Sequence, residues 1–358
     1  MLGPPLLPRN LEASVRDLSS VRPDVRASAI EDLVRHARAE ADVRARAVPL
    51  LVQRLTDEHP RVRAAAAVAL GDVEATEAVT ALLVSVEDDD PYVRQMAINA
   101  LGEIGDSRAL PRLRRGLSDS RPEVRYQTVI AFSRVADRTG AGLDASEVDD
   151  ALFAAANDED DAVAHIALRV AEERSDRGLG PDARLLARAR ALADPSRKDR
   201  VSPHVVLVAA ILLAKSGDPR GNDIVLRVVR GERLQGQAPD KEDERAAVEL
   251  AGQLGMREAI PHLERRAWGI ARFVRDTCPF HARIALARMG HARAKAEILA
   301  ELDSKRREVL SGAVVSAGRA RMVEAKDLIA RLTAVAVDPE LTREALAQLS
   351  APPDPKES

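Results

Sequence analysis

Three stretches of this chain repeat one pattern. Residues 55–73 read LTDEHPRVRAAAAVALGDV, residues 86–104 read VEDDDPYVRQMAINALGEI, and residues 117–135 read LSDSRPEVRYQTVIAFSRV. The valine of each Val-Arg pair is a ruler. Val62, Val93 and Val124 are 31 residues apart, Val25 lies 37 residues before the first, and Val163 lies 39 residues after the last. A period in the thirties is that of stacked helix pairs. A single pair cannot bury its apolar face alone, so neighbours must cover it.

The unit has a grammar. Asp57, Asp88 and Asp119 close one apolar run and open a tight turn. Pro60, Pro91 and Pro122 then fall in the first turn of the next helix, where a missing N–H costs nothing. A nearby Asp can cap the free N–H groups and complement the helix dipole. Val62, Ala66, Ala69 and Leu70 follow at helical spacing and share a buried face. Gly71, Gly102 and Gly105 are placed to end their helices in a left-handed conformation. Leu110, Leu113 and Leu117 mark the apolar face of a partner helix.

The pattern D-x-x-P-x-V-R-x-x-A-x-x-A-L-G over residues 57–135 resembles the HEAT-repeat family, most closely the HEAT-like repeats named after phycobilin lyases. Weaker copies are visible at 19–33 and 157–170, and degenerate ones at 217–230, 244–267, 282–302 and 307–332. The resemblance implies an all-α fold, a right-handed α-solenoid of about eight to ten HEAT-like helix pairs at this period. It predicts an N-terminal arm over residues 1–10, a solenoid over 11–350 with an irregular junction near 173–204, and a disordered tail over 351–358. The resemblance speaks to fold and hardly at all to function.

Composition narrows the function classes. Of the 358 residues 46% are hydrophobic, ample for a core, but only 2% are aromatic, which leaves few stacking surfaces. The lone Cys278 excludes a disulfide framework and favours a reducing compartment. The opening residues MLGPPLLPRN lack the basic start of a secretory signal, and no apolar run is long enough to span a bilayer. The expected location is the cytoplasm, with no direct membrane insertion. Seven lysines stand against 47 arginines, a bias that with the abundant alanine reflects a GC-rich, bacterial-type coding sequence more than a binding site. The net charge of −3 argues against a general nucleic-acid binder, although residues 257–321 hold 14 Arg or Lys against 7 Asp or Glu. That stretch, with Arg265, Arg266, Lys305, Arg306 and Arg307, is the alternative nucleic-acid site.

The repeated Arg26, Arg63, Arg94 and Arg125 could hold phosphates, but the turn aspartates recur in step with them, and the repeat resemblance implies ion pairs between neighbouring units. The acidic turns 87–91 and 157–162 lack the spacing of a calcium loop and read as capping turns. Among the enzymes to which the resemblance points, the HEAT-like hydroxylases use paired His-Glu dipeptides and the HEAT-like DNA glycosylases an aromatic-bearing basic groove; this chain has no His-Glu dipeptide and few aromatics. Cys278 with His281 reads as a buried core cysteine, not a nucleophile and its base. Trp268, Phe273 and Phe280 read as filling for an irregular repeat. The expectation is a non-enzyme with no cofactor and no metal, either a scaffold or, less favoured, a lyase-type or chaperone-like subunit acting on a protein.

One further pattern is informative. If the helix after each Asp-Pro turn lines the concave face, the second, third and sixth residues after the ruler valine point away from the core. These are Ala64, Ala65 and Val68; Gln95, Met96 and Asn99; Tyr126, Gln127 and Ile130; and His165, Ile166 and Arg169. Only Arg169 is charged, in a chain that is 31% charged. An uncharged strip bearing Met and Tyr suits a protein surface rather than phosphate. The predicted partner-binding residues are therefore Gln95, Met96, Asn99, Tyr126, Gln127, Ile130, His165, Ile166 and Arg169, for a protein partner.

Overall fold

The structure, a computed structural model, describes residues 10–139, 145–197, 201–269, 278–332 and 338–350. The predicted tail and nearly all of the predicted arm lie outside these residues, as does Phe273. The described residues form helices and no β-strand; Leu234 and Gln237 make one isolated bridge. The chain divides into two compact units, Met1–Arg188 and Ala189–Ser358. The division falls inside the stretch 173–204.

In the first unit α1 (Leu11–Asp17) precedes the pairs α2 (Pro23–Ala39) with α3 (Ala41–Arg54), α4 (Pro60–Asp72) with α5 (Val79–Ser85), α6 (Pro91–Ile104) with α7 (Leu110–Gly116), and α8 (Pro122–Thr139) with α9 (Ala145–Ala155). Then come α10 (Asp161–Asp176) and α11 (Ala183–Leu192), the latter crossing into the second unit. The second unit pairs α12 (Pro203–Lys215) with α13 (Pro219–Val229), α14 (Lys241–Gln253) with α15 (Ile260–Trp268), α16 (Pro279–Arg288) with α17 (Ala292–Glu301), and α18 (Arg307–Arg319) with α19 (Lys326–Leu332), and ends on α20 (Pro339–Ser350). Within each unit the even-numbered helices stack in chain order: α2, α4, α6, α8 and α10 in the first, and α12, α14, α16, α18 and α20 in the second. Each unit is an all-α solenoid.

Local chemistry explains the helix starts. Proline is the first residue of α2, α4, α6 and α8, and Asp90 and Asp160 cap α6 and α10 by accepting from the N–H groups two and three residues on. The third residue of each of these helices is the ruler valine, and Val62, Val93, Val124 and Val163 are buried together with Ala66, Ala69 and Leu70. In the second unit the run Val205–Ala214 of α12 is buried on every side.

The glycines work differently from the sequence expectation. Gly105 does end α6 in the left-handed region, at φ 73°. Gly71 and Gly102, however, lie inside their helices. Both stand where two helices touch. A Cβ on Gly71 would sit 2.8 Å from the Ala100 Cα, and one on Gly102 would sit 2.9 Å from the Ala131 Cβ and 3.0 Å from its Cα. Absence of a side chain, not a positive φ, is what these two positions need, because it lets α4 approach α6 and α6 approach α8.

The repeated arginines form a ladder along the first unit. Nε and Nη2 of Arg26, Arg63, Arg94 and Arg125 donate in parallel to both carboxylate oxygens of Asp57, Asp88, Asp119 and Asp158, at 2.7–2.9 Å. Nη1 of each donates to a backbone carbonyl six residues earlier in its own turn. Each aspartate also accepts from the N–H two residues ahead, in His59, Asp90, Arg121 and Asp160. One aspartate thus shapes its own turn and receives the preceding repeat. Burial pushes these carboxyls up, but the guanidinium and backbone bonds outweigh it, and all four are held below the ordinary value of 3.8.

Two outcomes follow. Asp88→Ala removes a rung and its turn bond and strands the mostly buried Arg63; it is expected to cost about 2–4 kcal/mol in urea unfolding. Because the folded carboxyl is depressed, the rung's contribution is complete above about pH 3.8 and is lost as pH falls through the lower folded value. The gap between wild type and Asp88→Ala therefore narrows on acidification; a gap independent of pH would show that the charge of Asp88 contributes nothing. Gly102→Val is expected to cost about 1–3 kcal/mol by overpacking the α6–α8 seam, measured in the same way.

Candidate functional site

The exposed face of the stacked even helices carries most of the predicted strip. On α6, Gln95, Met96 and Asn99 are half-buried, and on α8 so are Tyr126, Gln127 and Ile130. The Gln127 amide donates to the Asn99 Oδ1 at 2.9 Å and so links the two helices across the strip. On α10, His165 and Arg169 are half-buried, and Arg169 reaches Glu172 at 3.4 Å. Two residues depart from the expected orientation. Ile166 is only 8% exposed and Ala64 only 1%, so both belong to the helix-to-helix seams. In α10 the fourth and fifth residues after Val163, Ala167 and Leu168, are buried too, so the apolar arc is wide enough to take in Ile166.

A groove of about 590 Å³ lies on this face between α2 and α4. Its floor is small and apolar, built from Ala27, Ile30 and Val34 of α2 and Ala64, Ala65, Val68 and Ala69 of α4. Its rim is charged, with Glu31, Arg35 and Arg38 on one side and Arg61 and Asp72 on the other. Arg38 pairs with Asp72 across the groove at 3.0 Å, both partly exposed, so this bridge is weak and can open. Tyr92, 55% exposed, stands at the edge where α6 begins.

Sequence reasoning missed both the rim and Tyr92. Arg61 and Tyr92 immediately precede their ruler valines, one helical turn before Ala65 and Met96, so extending the same face backward by four residues finds them. The same count on Val25 reaches Ala27 and Glu31, and further turns of α2 reach Arg35 and Arg38.

The other candidates resolve into structural contacts. In the acidic turns, Asp88 and Asp158 are ladder members, Asp90 and Asp160 are helix caps, and Glu87 pairs with Arg112. Cys278 is fully buried, and His281 shares its Nδ1 with Glu249 at 2.5 Å. Trp268 is held in place: its indole N–H donates to Glu297 at 2.9 Å, and the Arg293 guanidinium lies 4.1 Å from its ring centroid.

Part of the basic stretch is held in contacts within the protein, and one of its arginines is buried. Arg266 donates to the carbonyls of Val228 and Val229 and pairs with Glu244 while only 9% exposed. Arg283 pairs with Glu301, Arg319 with Glu249, and Lys295 with Glu324. Lys305, Arg306 and Arg307 remain exposed at the start of α18. Treating Arg266 as a surface cation was thus a misreading, since it fastens α15 to α13 and α14.

The fold also assembles a group that spacing did not reveal. His204, near the start of α12, faces Asp240 and Asp243 at the start of α14, and one ligand-type atom from each lies within 4.8 Å of the others. The two carboxylates stand 36 and 39 residues beyond the histidine, a separation that matches no short ligand motif.

Comparison with known proteins bears on the fold. Residues 16–89 and 82–143 match the family of HEAT repeats. No curated protein matches the chain. Among solved structures, the chain is similar to one from the Kap95:Nup1 complex at 17% identity and a TM-score of 0.55, over 95% of this chain and 49% of that one. It is similar to the complex of CpcE and CpcF of phycocyanin lyase from Nostoc sp. PCC7120 at 16% identity and a TM-score of 0.42, over 83% of this chain and 96% of that one. It is also similar to a designed armadillo repeat protein at 17% identity and a TM-score of 0.39, over 57% of this chain and 99% of that one. None of the described helices is long and apolar enough to cross a membrane.

The two kinds of arginine separate in experiment. Arg266→Glu is expected to lower the melting temperature by several degrees, the consequence of placing a charge among three lost contacts at a cost of about 2–4 kcal/mol. The triple change Lys305→Glu, Arg306→Glu, Arg307→Glu is expected to shift it little, as surface substitutions do. Equal melting of the two variants would show that Arg266 is not a structural fastener.

Proposed function

We propose that this chain, of which residues 16–143 match the family of HEAT repeats, is a non-catalytic scaffold, cytoplasmic in location, that holds a partner protein on the exposed face of α2, α4, α6 and α8. The observation that carries this reading is the groove between α2 and α4 and its continuation along the same face. An apolar floor, a charged rim and the exposed Tyr92 give way to the uncharged Gln95, Met96, Asn99, Tyr126, Gln127 and Ile130. Small floor residues admit the side chains of a docked segment, tyrosines offer rigid area with a polar tip, and the rim charges fix register. A predominantly neutral strip offers little to a phosphate backbone, whose capture depends on cations in series. The ladder arginines are committed to aspartates, and within the basic stretch Arg266 and Arg283 are paired with glutamates. These observations favour a protein over a nucleic acid.

The test is comparative capture. Tagged wild type, Tyr126→Ala, Ala65→Arg and the triple charge reversal at Lys305, Arg306 and Arg307 are each incubated with lysate of the source cells, and bound proteins are quantified by mass spectrometry. A partner is expected to be retained by wild type and by the triple variant and depleted by the two face variants. Once that partner is purified, Tyr126→Ala is expected to weaken it by about 1–3 kcal/mol. Binding lost only in the triple variant, together with salt-sensitive capture of generic DNA by wild type, would replace this reading with nucleic-acid binding. Thermal melts of the same variants show whether any loss reflects unfolding.

A further inference from the structure

The third residue of an even-numbered helix is a buried valine in α4, α6, α8, α10 and α12: Val62, Val93, Val124, Val163 and Val205. In α14 the same place holds Asp243, and it is buried just as deeply, at 2% exposure. The register is secured at the far end of the helix. Gly252 is the twelfth residue of α14, as Gly71 is of α4 and Gly102 of α6, and each of these glycines packs on an alanine of the next even helix. A carboxylate stands where α4, α6, α8, α10 and α12 place a valine. A buried carboxylate is paired, hydrogen-bonded or bound to a metal.

Two ligand-type groups meet it. The Nδ1 of His204 lies 3.2 Å from an Asp243 oxygen and 3.3 Å from an Asp240 oxygen. In a tetrahedral zinc site with bonds of about 2.0–2.2 Å, neighbouring ligand atoms stand about 3.3–3.5 Å apart. The two separations, at 3.2 and 3.3 Å, are at or just under the edge length of such a site. Asp240 is additionally anchored, because its Oδ1 caps α14 by accepting from the N–H groups of Glu242 and Asp243, while its Oδ2 is the oxygen turned to His204. His204 and Asp240 are partly exposed, at 40% and 51%, which leaves room for water as the remaining ligand. One imidazole and two carboxylates suit a borderline divalent ion better than calcium or magnesium, which prefer oxygen alone.

The position also has a structural rationale. The group bridges the starts of α12 and α14, two consecutive stacked helices. In the first unit that place is bridged by an arginine following the ruler valine and an aspartate two residues before the next helix cap. Here those positions hold Val206 and Ala238, so an arginine–aspartate rung of that kind cannot form. We propose that His204, Asp240 and Asp243 form a binding site for a zinc-class divalent cation, which ties α12 to α14 where the ladder has no rung.

The full-length protein, stripped with a chelator and exchanged into chelator-free buffer, is titrated with zinc chloride by calorimetry and melted with and without zinc. Cobalt(II) serves as the coloured probe. One equivalent is expected to bind, to raise the melting temperature, and to give the strong visible absorption of a four-coordinate cobalt centre. Asp243→Val installs the residue found at this place in α4, α6, α8, α10 and α12, so it is expected to fold while losing the zinc-dependent rise. His204→Gln is the second variant. Each is expected to weaken zinc by at least the roughly 10–100-fold that loss of an outer partner costs. No zinc-dependent rise in wild type would overturn the proposal and leave a histidine–carboxylate contact only. An equal rise in wild type and both variants would overturn it as well, by assigning the effect to scattered surface groups.

Discussion

The bidentate pair between one repeat's arginine and the next repeat's turn aspartate is the contact on which the first unit depends. Stacked helices slide easily, because an alanine-rich seam is smooth and offers little to fix register. A fork of two parallel N–H donors on two carboxylate oxygens has one favoured geometry. Arg63, for example, holds Asp88 with Nε and Nη2 while its Nη1 holds the Asp57 carbonyl in its own turn. One side chain therefore specifies the shape of its own turn and its distance from the next. With the partners mostly buried, these pairs are worth more than surface bridges, yet their main contribution is specificity, since a buried pair often does no better than an apolar one in net stability.

The ladder also accounts for where the clear repeats stop. After Val163 the arginine position holds Ala164, so Asp158 is the last aspartate to receive a rung from this series. The second unit uses assorted contacts instead. Arg190 pairs with Asp218, Arg266 takes two carbonyls and Glu244, and Glu249 gathers His281 and Arg319. Glu249 is pushed up by its burial, but the His281 and Arg319 bonds prevail and hold it below the usual glutamate value. Small-residue contacts persist throughout: a Cβ on Gly252 would stand 2.4 Å from the Ala285 Cα. Helix approach is thus conserved along the chain while the means of fixing register changes.

This difference explains what the sequence disclosed. The helix pairs, the buried valine face and the aspartates Asp57, Asp88 and Asp119 as partners for the ladder arginines were legible because each recurs in step and the repeat resemblance implies the pairing; Asp158, the partner of Arg125, was not singled out. Gly71 and Gly102 were misjudged because a glycine near the end of a helix looks alike whether it serves a turn or a close approach; only the position of Ala100 and Ala131 separates the two. Ile166 looked outward by periodicity, but the width of a buried arc depends on the neighbours, which a single helix does not encode. The rim of the groove was missed because it is shared by α2 and α4, and its charges look like any solvated helix surface until two helices place them on opposite banks. His204, Asp240 and Asp243 were invisible for the same reason at longer range.

Repetition itself then becomes a means of finding sites. In a globular core each buried position has its own history, and one polar residue among many is hard to weigh. In a stack of similar layers, every position has siblings that state what packing alone would choose. Valine is that choice at the third residue of α4, α6, α8, α10 and α12, so the buried Asp243 in α14 is not a packing solution. The groove face obeys the converse logic. Its positions differ from layer to layer, from Ala65 to Met96 to Gln127, because packing does not constrain them. Residues at such positions are set by what they face, and on the first unit they face outward with little charge. Departure from the repeat where burial is complete marks a local chemical demand, and variation where burial is partial marks a surface free to be shaped by a partner.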